Sequence, residues 1–426
     1  MGKNNGLSAE KRLELLFDEG SFSELFGGSK ASSVIVGVGT VLGKTVYAFS
    51  QDISVESGAA GKGYYEKIKG LYDLAYKTGN PVVAIYDSLG LKLTEAEEAL
   101  KAMAEVNKRA AMLSGVVPQI SVVLGTCGGS MAMSAASADL VIASKDAEIF
   151  MNSAFFGGEV KEDLSGVVAY LADTEEDAIE EARSVIDKLP SNNLTETDLY
   201  EYVNKASKET KVAASVAESL ADEGSETVLF AEVDGYASLA TVGGNVAVIL
   251  GTPEKMTDSA AVKMTKLIKL ADAYSLPVIT VIGSDGIAED EVGVLTYSTL
   301  FKAYSEATTV KINVVSGECY GAMLTCYLMG NADYNVALEG SVISPVKASA
   351  AAYALKADEM EGENEAEAIG KITLDYINES CTASKAAENG IVSAAVSSED
   401  LKANLVSVVN MLSTKRETTP PKKHSI

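Results

Sequence analysis

The sequence predicts an α/β fold built twice in tandem, and three observations carry that expectation. Asp-Glu-Gly-Ser occurs at Asp18–Ser21 and again at Asp222–Ser225. Apolar, β-branched runs alternate with helix-period segments, the pattern of mostly parallel strands covered by helices. Proline and glycine recur at a fixed offset: Pro81 and Pro277 lie 196 residues apart, as do Gly90 and Gly286.

Each element can be justified in order. Residues 33–49 (SVIVGVGTVLGKTVYAF) and 235–250 (GYASLATVGGNVAVIL) each read as strand, glycine turn, strand, with turns at Gly43-Lys44 and Gly243-Gly244. Residues 71–91 and 267–287 each read as helix then buried strand. In the first, Leu71, Leu74 and Ala75 keep helical spacing, Gly79-Asn80-Pro81 stops the helix, and Val82–Tyr86 is a buried-strand run. A second strand-to-helix pair follows at 117–142 and 308–336, where Cys127 corresponds to Cys319 and Gly129 to Gly321. An acidic helical segment, Glu175–Leu189, ends at Pro190, and a polar, helix-like stretch is expected to link the copies near 190–212. The expected domains are 1–200 and 201–426.

Composition removes several function classes. Sixty acidic residues against 35 basic ones give a net charge of −25, which argues against a nucleic-acid partner and against docking on anionic lipid by charge alone. No apolar run is long enough for a membrane helix, and the N-terminus lacks a signal-peptide core, so a cytoplasmic location is expected. Four scattered cysteines form no CxxC pair. The only histidine, His424, lies in the tail. Imidazole-based triads, dyads and zinc sites therefore have no core residue to use. Backbone amides, carboxylates or a borrowed cofactor must carry any chemistry.

The small-residue turns are the best candidates. Both LGTCGGSMAM and VSGECYGAML pass from strand to helix through small residues, which exposes backbone N–H groups suited to an oxyanion or phosphate. A single turn of this kind is usually only a tight connection; two at matched places point to function. Other near-motifs fail. Gly43-Lys44-Thr45 lacks the phosphate-loop glycine at position 38, which is Val38, and precedes a strand, so it reads as a hairpin turn. Ala261-Val262-Lys263-Met264 looks like a biotin-attachment tetrapeptide but opens an amphipathic helix, so Lys263 reads as a helical surface lysine.

Taken together, RLELLFDEGSFSEL, FSQDISVESGAAGKGYYEKI, KTGNPVVAIYDSLG, SGVVPQISVVLGTCGG, KLPSNN, ADAYSLPVITV, AYSEATTVKINVV and PPKKH resemble, in order and over essentially the whole chain, the carboxyltransferase subunits of biotin-dependent acyl-CoA carboxylases and sodium-pumping decarboxylases. The resemblance implies two crotonase-like domains, an acyl-CoA side (1–200) and a biotin side (201–426). It implies a coenzyme A thioester as substrate and biotin on a separate carrier protein, with a backbone oxyanion hole in each domain. Carried over by position, the thioester hole falls on Gly129 and Ser130 beside Gly128, and the biotin hole on Ala322 and Met323 beside Gly321. Gly58, Ser88, Gly90 and Lys92 are implied around the first site, and Gly286 and Thr325 around the second. A homo-oligomer is implied, with a biotin carrier protein as partner. Membrane pump subunits or a biotin carboxylase would complete the complex, the former placing it at the inner face of a membrane.

The chain also departs from the family. Asp-Ser-Gly-Gly-Ala-Arg is here Asp87-Ser88-Leu89-Gly90-Leu91-Lys92, Pro-Gly-Phe is Asp285-Gly286-Ile287, a position linked to acyl preference is Thr325 rather than Asp, and the stretch between Ser153 and Leu164 is short. The shortness favours a decarboxylase subunit. Three alternatives stay open: the transferase of an ATP-driven carboxylase, a non-catalytic scaffold, and a crotonase-like hydrolase or isomerase using Asp87 or Asp285.

Overall fold

The computed structural model describes residues 6–27, 32–151, 166–205, 209–284, 286–288, 293–321, 324, 329–356 and 365–418. The chain divides into two compact units, Met1–Asp198 and Leu199–Ile426.

Unit 1 runs α1 (Ala9–Leu16), β1 (Ser23–Glu24), β2 (Val34–Val41), β3 (Lys44–Gln51), α2 (Lys62–Thr78), β4 (Val82–Tyr86), α3 (Ala96–Leu113), β5 (Gln119–Val123), β6 (Thr126–Gly128), α4 (Ser130–Ala136), β7 (Leu140–Ser144), β8 (Glu148–Phe150), β9 (Tyr170–Ala172) and α5 (Glu175–Lys188). Its main sheet has the order β1-β2-β3-β4-β5-β7-β9. The β2–β3 hairpin is antiparallel and every pairing from β3 to β9 is parallel. Every residue of β4, β5 and β7 is buried, as expected for parallel strands covered on both faces. Beside the main sheet, β6 and β8 form a two-stranded parallel ribbon.

Unit 2 repeats this plan with α6 (Ala213–Leu220), β10 (Thr227–Val228), β11 (Tyr236–Val242), β12 (Asn245–Gly251), α7 (Asp258–Ala273), β13 (Val278–Ile282), α8 (Val294–Glu306), β14 (Lys311–Val315), β15 (Glu318–Tyr320), β16 (Tyr334–Leu338), β17 (Val342–Ser344), α9 (Ala348–Lys356), α10 (Glu365–Tyr376), α11 (Ala383–Glu388), β18 (Ala394–Val396) and α12 (Ser398–Leu412). The sheet order is β10-β11-β12-β13-β14-β16-β18, and β15–β17 is the matching ribbon.

The Asp-Glu-Gly-Ser repeat is a structural staple. Asp18 accepts from the Thr40 hydroxyl and from the amides of Leu42 and Gly43, which form the β2–β3 turn. Asp222 does the same for Thr241, Gly243 and Gly244. Both central residues of each turn have positive φ, the geometry that matches strand twist in a tight hairpin. Gly43-Lys44-Thr45 is accordingly a hairpin, and Lys44 Nζ donates to the Leu189 carbonyl at 3.1 Å.

Two expectations need correction. Residues 191–205 form turns and irregular backbone rather than a helix. Leu194 and Leu199 are 90% and 80% exposed, so the stretch has no apolar face to dock, and short helices depend on such docking. Lys263 lies on helix α7 as expected, but it is buried rather than on the surface. Its ammonium donates to the Val233 and Gly235 carbonyls at 2.9 and 3.2 Å, and burial pulls it down to about 8.

Candidate active site

In unit 1, strand β6 ends at Gly128 and helix α4 begins at Ser130, with Gly129 between them at φ 60°, ψ −130°. Few residues other than glycine adopt that conformation. The Gly129 N–H donates to the Phe150 carbonyl at 2.7 Å, joining the turn to the end of β8. Gly129 is therefore a turn residue whose amide is already committed to Phe150, unlike the free donor expected for it. The amides of Ser130 and Met131 open the helix, where N–H groups have no intrahelical acceptor, and neither donates to another group among the described residues. Ser130 is exposed. Gly128 packs under the Phe150 ring, and a Cβ there would come within 2.5 Å of it.

Unit 2 builds the same turn. Cys319 is buried in β15 as Cys127 is in β6, and the Gly321 N–H donates to the Pro345 carbonyl at 3.2 Å. This correspondence pairs Gly129 with Gly321, so Ser130 and Met131 are the positional counterparts of Ala322 and Met323. Ala322, Met323 and Thr325 lie outside the described residues, as do Cys326, Asp285, His424 and the stretch between Ser153 and Leu164.

A second loop lies against each turn. Ser88 N–H donates to the Thr126 carbonyl at 2.8 Å, and its hydroxyl to the Gly58 carbonyl at 2.7 Å. Gly90, at φ 119°, accepts from Ala60 N–H, and Lys92 N–H returns the bond to the Ala60 carbonyl. In unit 2 the Ser284 hydroxyl donates to Gly286, Met256 N–H donates to Gly286, and Ala288 N–H donates to Met256. Among the described residues a Cβ at Gly90 or Gly321 would meet nothing within 4 Å, and Leu89, beside Gly90, is exposed. Gly58 has the opposite role. A Cβ there would sit 2.9 Å from the Asp87 carbonyl and the Ser88 Cα, so Gly58 is needed for close packing. It ends a run of three left-handed residues, Glu56, Ser57 and Gly58, local strain of the kind that collects at functional sites. Lys92 is held by Glu56 and Glu95 at 2.9 and 3.3 Å, so its charge is shared with two carboxylates.

Sequence reasoning missed what holds this loop. Arg12, only 2% exposed, donates to Asp87 at 2.9 Å and to both oxygens of Glu175 at 2.9 and 3.0 Å. The Asp87 N–H donates to the Gln51 side chain at 2.6 Å. Gln51 Nε2 in turn donates to Tyr64 Oη at 2.5 Å and contacts Met131 Sδ at 3.1 Å. The available signal was a charged residue on the apolar face of α1, among Ala9, Leu13 and Leu16.

The local chemistry narrows the options. Burial pushes the thiols of Cys127 and Cys319 up to about 12, which leaves no thiolate nucleophile there. Among the described residues no group of three His, Cys, Asp or Glu could hold a metal ion, and no helix is long and apolar enough to cross a membrane. Asp87 is buried and ion-paired, which makes it a loop support rather than a free general base.

A profile of the carboxyl transferase domain matches residues 3–426. The chain belongs to the carboxyl transferase family. Among curated relatives, this carboxyl transferase is 31% identical to the methylmalonyl-CoA decarboxylase subunit alpha of Veillonella parvula, over 98% of this chain and 92% of the relative. It is 29% identical to the propionyl-CoA carboxylase beta chain of Saccharopolyspora erythraea, over 98% and 89%. The first alignment spans 480 positions, more than this chain's 426 residues, so the relative carries segments this carboxyl transferase lacks. Among solved structures, transcarboxylase 12S, described as a hexamer with hydrolyzed methylmalonyl-coenzyme A bound, superposes with a TM-score of 0.89 at 26% identity, covering 99% of this chain and 92% of that one. The fold is the crotonase-like one that the resemblance implies.

Proposed function

We propose that this carboxyl transferase moves a carboxyl group between an acyl-CoA α-carbon and biotin on a separate carrier protein, as the decarboxylase subunit of a multi-subunit complex with membrane partners. The observation that carries the reading is the duplicated turn. In each unit a glycine commits its own amide to a neighbouring carbonyl, and in unit 1 the next two amides are left open among the described residues. By the resemblance, unit 1 takes the thioester and unit 2 the biotin, with Ala322, Met323 and Thr325 on the biotin side.

The chain's own contribution is electrostatic. The amides of Ser130 and Met131 hold the thioester oxygen as it gains negative charge, and each such donor is worth about 3–4 kcal/mol of barrier in measured oxyanion holes. The committed hydrogen bonds at Gly129, Ser88 and Gly90 fix the donors before substrate arrives, so little reorganisation accompanies the reaction. Biotin, when bound, supplies the carboxyl acceptor, which fits a core without histidine and with both buried thiols protonated. The decarboxylase direction is favoured by the likeness to the first relative above. A homo-oligomer follows from the likeness to the transcarboxylase 12S core.

The test is decarboxylation of methylmalonyl-CoA and malonyl-CoA by the purified chain with free biotin. Loss of carboxylate that requires biotin supports the reading. A folded chain inert toward every thioester removes it, and turnover without biotin transfers the case to a hydrolase or isomerase.

A further inference from the structure

We infer that Arg12 is a positioning residue that sets the geometry of the unit 1 turn through Asp87; this rests on the reading of that turn as the thioester site. The contacts form one continuous path. Arg12 grips Asp87 Oδ2 at 2.9 Å while Glu175 fixes the far side of the guanidinium. The Asp87 carboxylate lies against Gly125, the residue before β6, since a Cβ there would fall 2.0 Å from Oδ1. The Asp87 N–H is held by Gln51 Oε1, and Gln51 Nε2 reaches Met131 Sδ at 3.1 Å, in the first turn of α4. The next residue, Ser88, bonds the Thr126 carbonyl within β6. The path therefore touches the turn before it, at its base and after it. Arg12 and Asp87 side chains are 2% and 8% exposed, so the pair sits where its geometry is rigid and any loss of one partner is felt.

Unit 2 shows that the fold does not require this device. Helices α1 and α6 are each eight residues long at matching places, and Val216 stands at the position of Arg12. Gly283 stands at the position of Asp87, with its N–H donating to Thr252 Oγ1 as Asp87 N–H does to Gln51. The backbone bond is common to both units; the buried charge is added in unit 1 only.

The experiment compares Asp87→Asn, Arg12→Lys and Asp18→Asn in the full chain, by biotin-dependent methylmalonyl-CoA decarboxylation, thermal unfolding and amide hydrogen exchange over residues 124–134. Asp87→Asn is expected to lower kcat at least tenfold with KM within threefold, and to speed exchange across the turn at least tenfold. Arg12→Lys keeps the charge without the planar fork and is expected to fall between Asp87→Asn and the parent. Asp18→Asn, which loosens the β2–β3 hairpin and touches neither Asp87 nor the turn, is expected to lower the unfolding temperature and leave both other readouts unchanged. If Asp87→Asn and Arg12→Lys lower only the unfolding temperature, as Asp18→Asn does, the inference is overturned. If the parent chain has no activity, exchange still decides: faster exchange in Asp87→Asn upholds the positioning path and discards only the thioester reading.

Discussion

In unit 1 the loop beneath the turn is held by a buried charge cluster, Arg12 with Asp87 and Glu175. In unit 2 the matching loop is held by close packing, with the Cα of Gly283 set so near Ser316 and Ala213 that an added Cβ would lie 2.5 and 3.1 Å from them. Strand order and ribbon are the same in both. A duplicated fold thus needs the backbone path preserved but not the means of holding it. Apolar packing gives rigidity without desolvating charge, whereas a buried ion cluster adds directional hydrogen bonds to a specific carboxylate at the cost of that desolvation.

The comparison is sharpest at its centre. Arg12→Val gives unit 1 the residue of unit 2 but strands two carboxylates, and is expected to cost about 3–5 kcal/mol. Val216→Ala in unit 2 removes only buried methyl groups, at about 2 kcal/mol. Equal losses in urea unfolding would mean the cluster is no more than packing. Next in size is Gly125→Ala, expected to cost about 2–3 kcal/mol because its Cβ meets the Asp87 carboxylate. The double variant Gly125→Ala, Asp87→Gly should recover part of that loss in a double-mutant cycle, whereas simple additivity would place the clash elsewhere.

The unit 1 hairpin staple responds to pH. Burial by itself raises the Asp18 carboxyl, but the amides of Gly43 and Leu42, the Thr40 hydroxyl and Arg183 outweigh it and hold the group at about 2. Its folded value lies below the unfolded value near 4, so its stabilisation is complete above about pH 4 and is lost as pH falls toward 2. Acid unfolding of Asp18→Asn should be correspondingly shallower than that of the parent; an unchanged acid slope would show the staple carries no charge-dependent stability. A second pH effect is at Lys263, held by burial at about 8. Between pH 8 and about 10.4 the unfolded chain binds the extra proton, so stability rises with pH there, and Lys263→Met should remove that rise.

Much of this was legible in the sequence because duplication writes each rule twice. Asp18 and Asp222, Gly90 and Gly286, and Cys127 and Cys319 mark hairpin, loop and turn through backbone demands that only certain residues meet. The linker misled because its polar composition suits a helix, while Leu194 and Leu199 stay exposed and give it no apolar face to dock. Lys263 misled because periodicity gives the face of a helix and not the carbonyls of Val233 and Gly235 that bury an ammonium on it. The donor assignment at Gly129 depended on where Phe150 places its carbonyl, 21 residues further along the chain. The Arg12–Asp87 contact, 75 residues apart, is set by tertiary packing alone.

The most direct test of the central claim is the kcat of Ser130→Pro in biotin-dependent methylmalonyl-CoA decarboxylation. Proline is tolerated at the first position of a helix, so this substitution deletes one amide donor and little else. A fall in kcat of roughly 100–1,000-fold, with the unfolding temperature kept, is predicted for loss of an oxyanion donor. Unchanged kcat in the folded variant would contradict the assignment of catalysis to this turn.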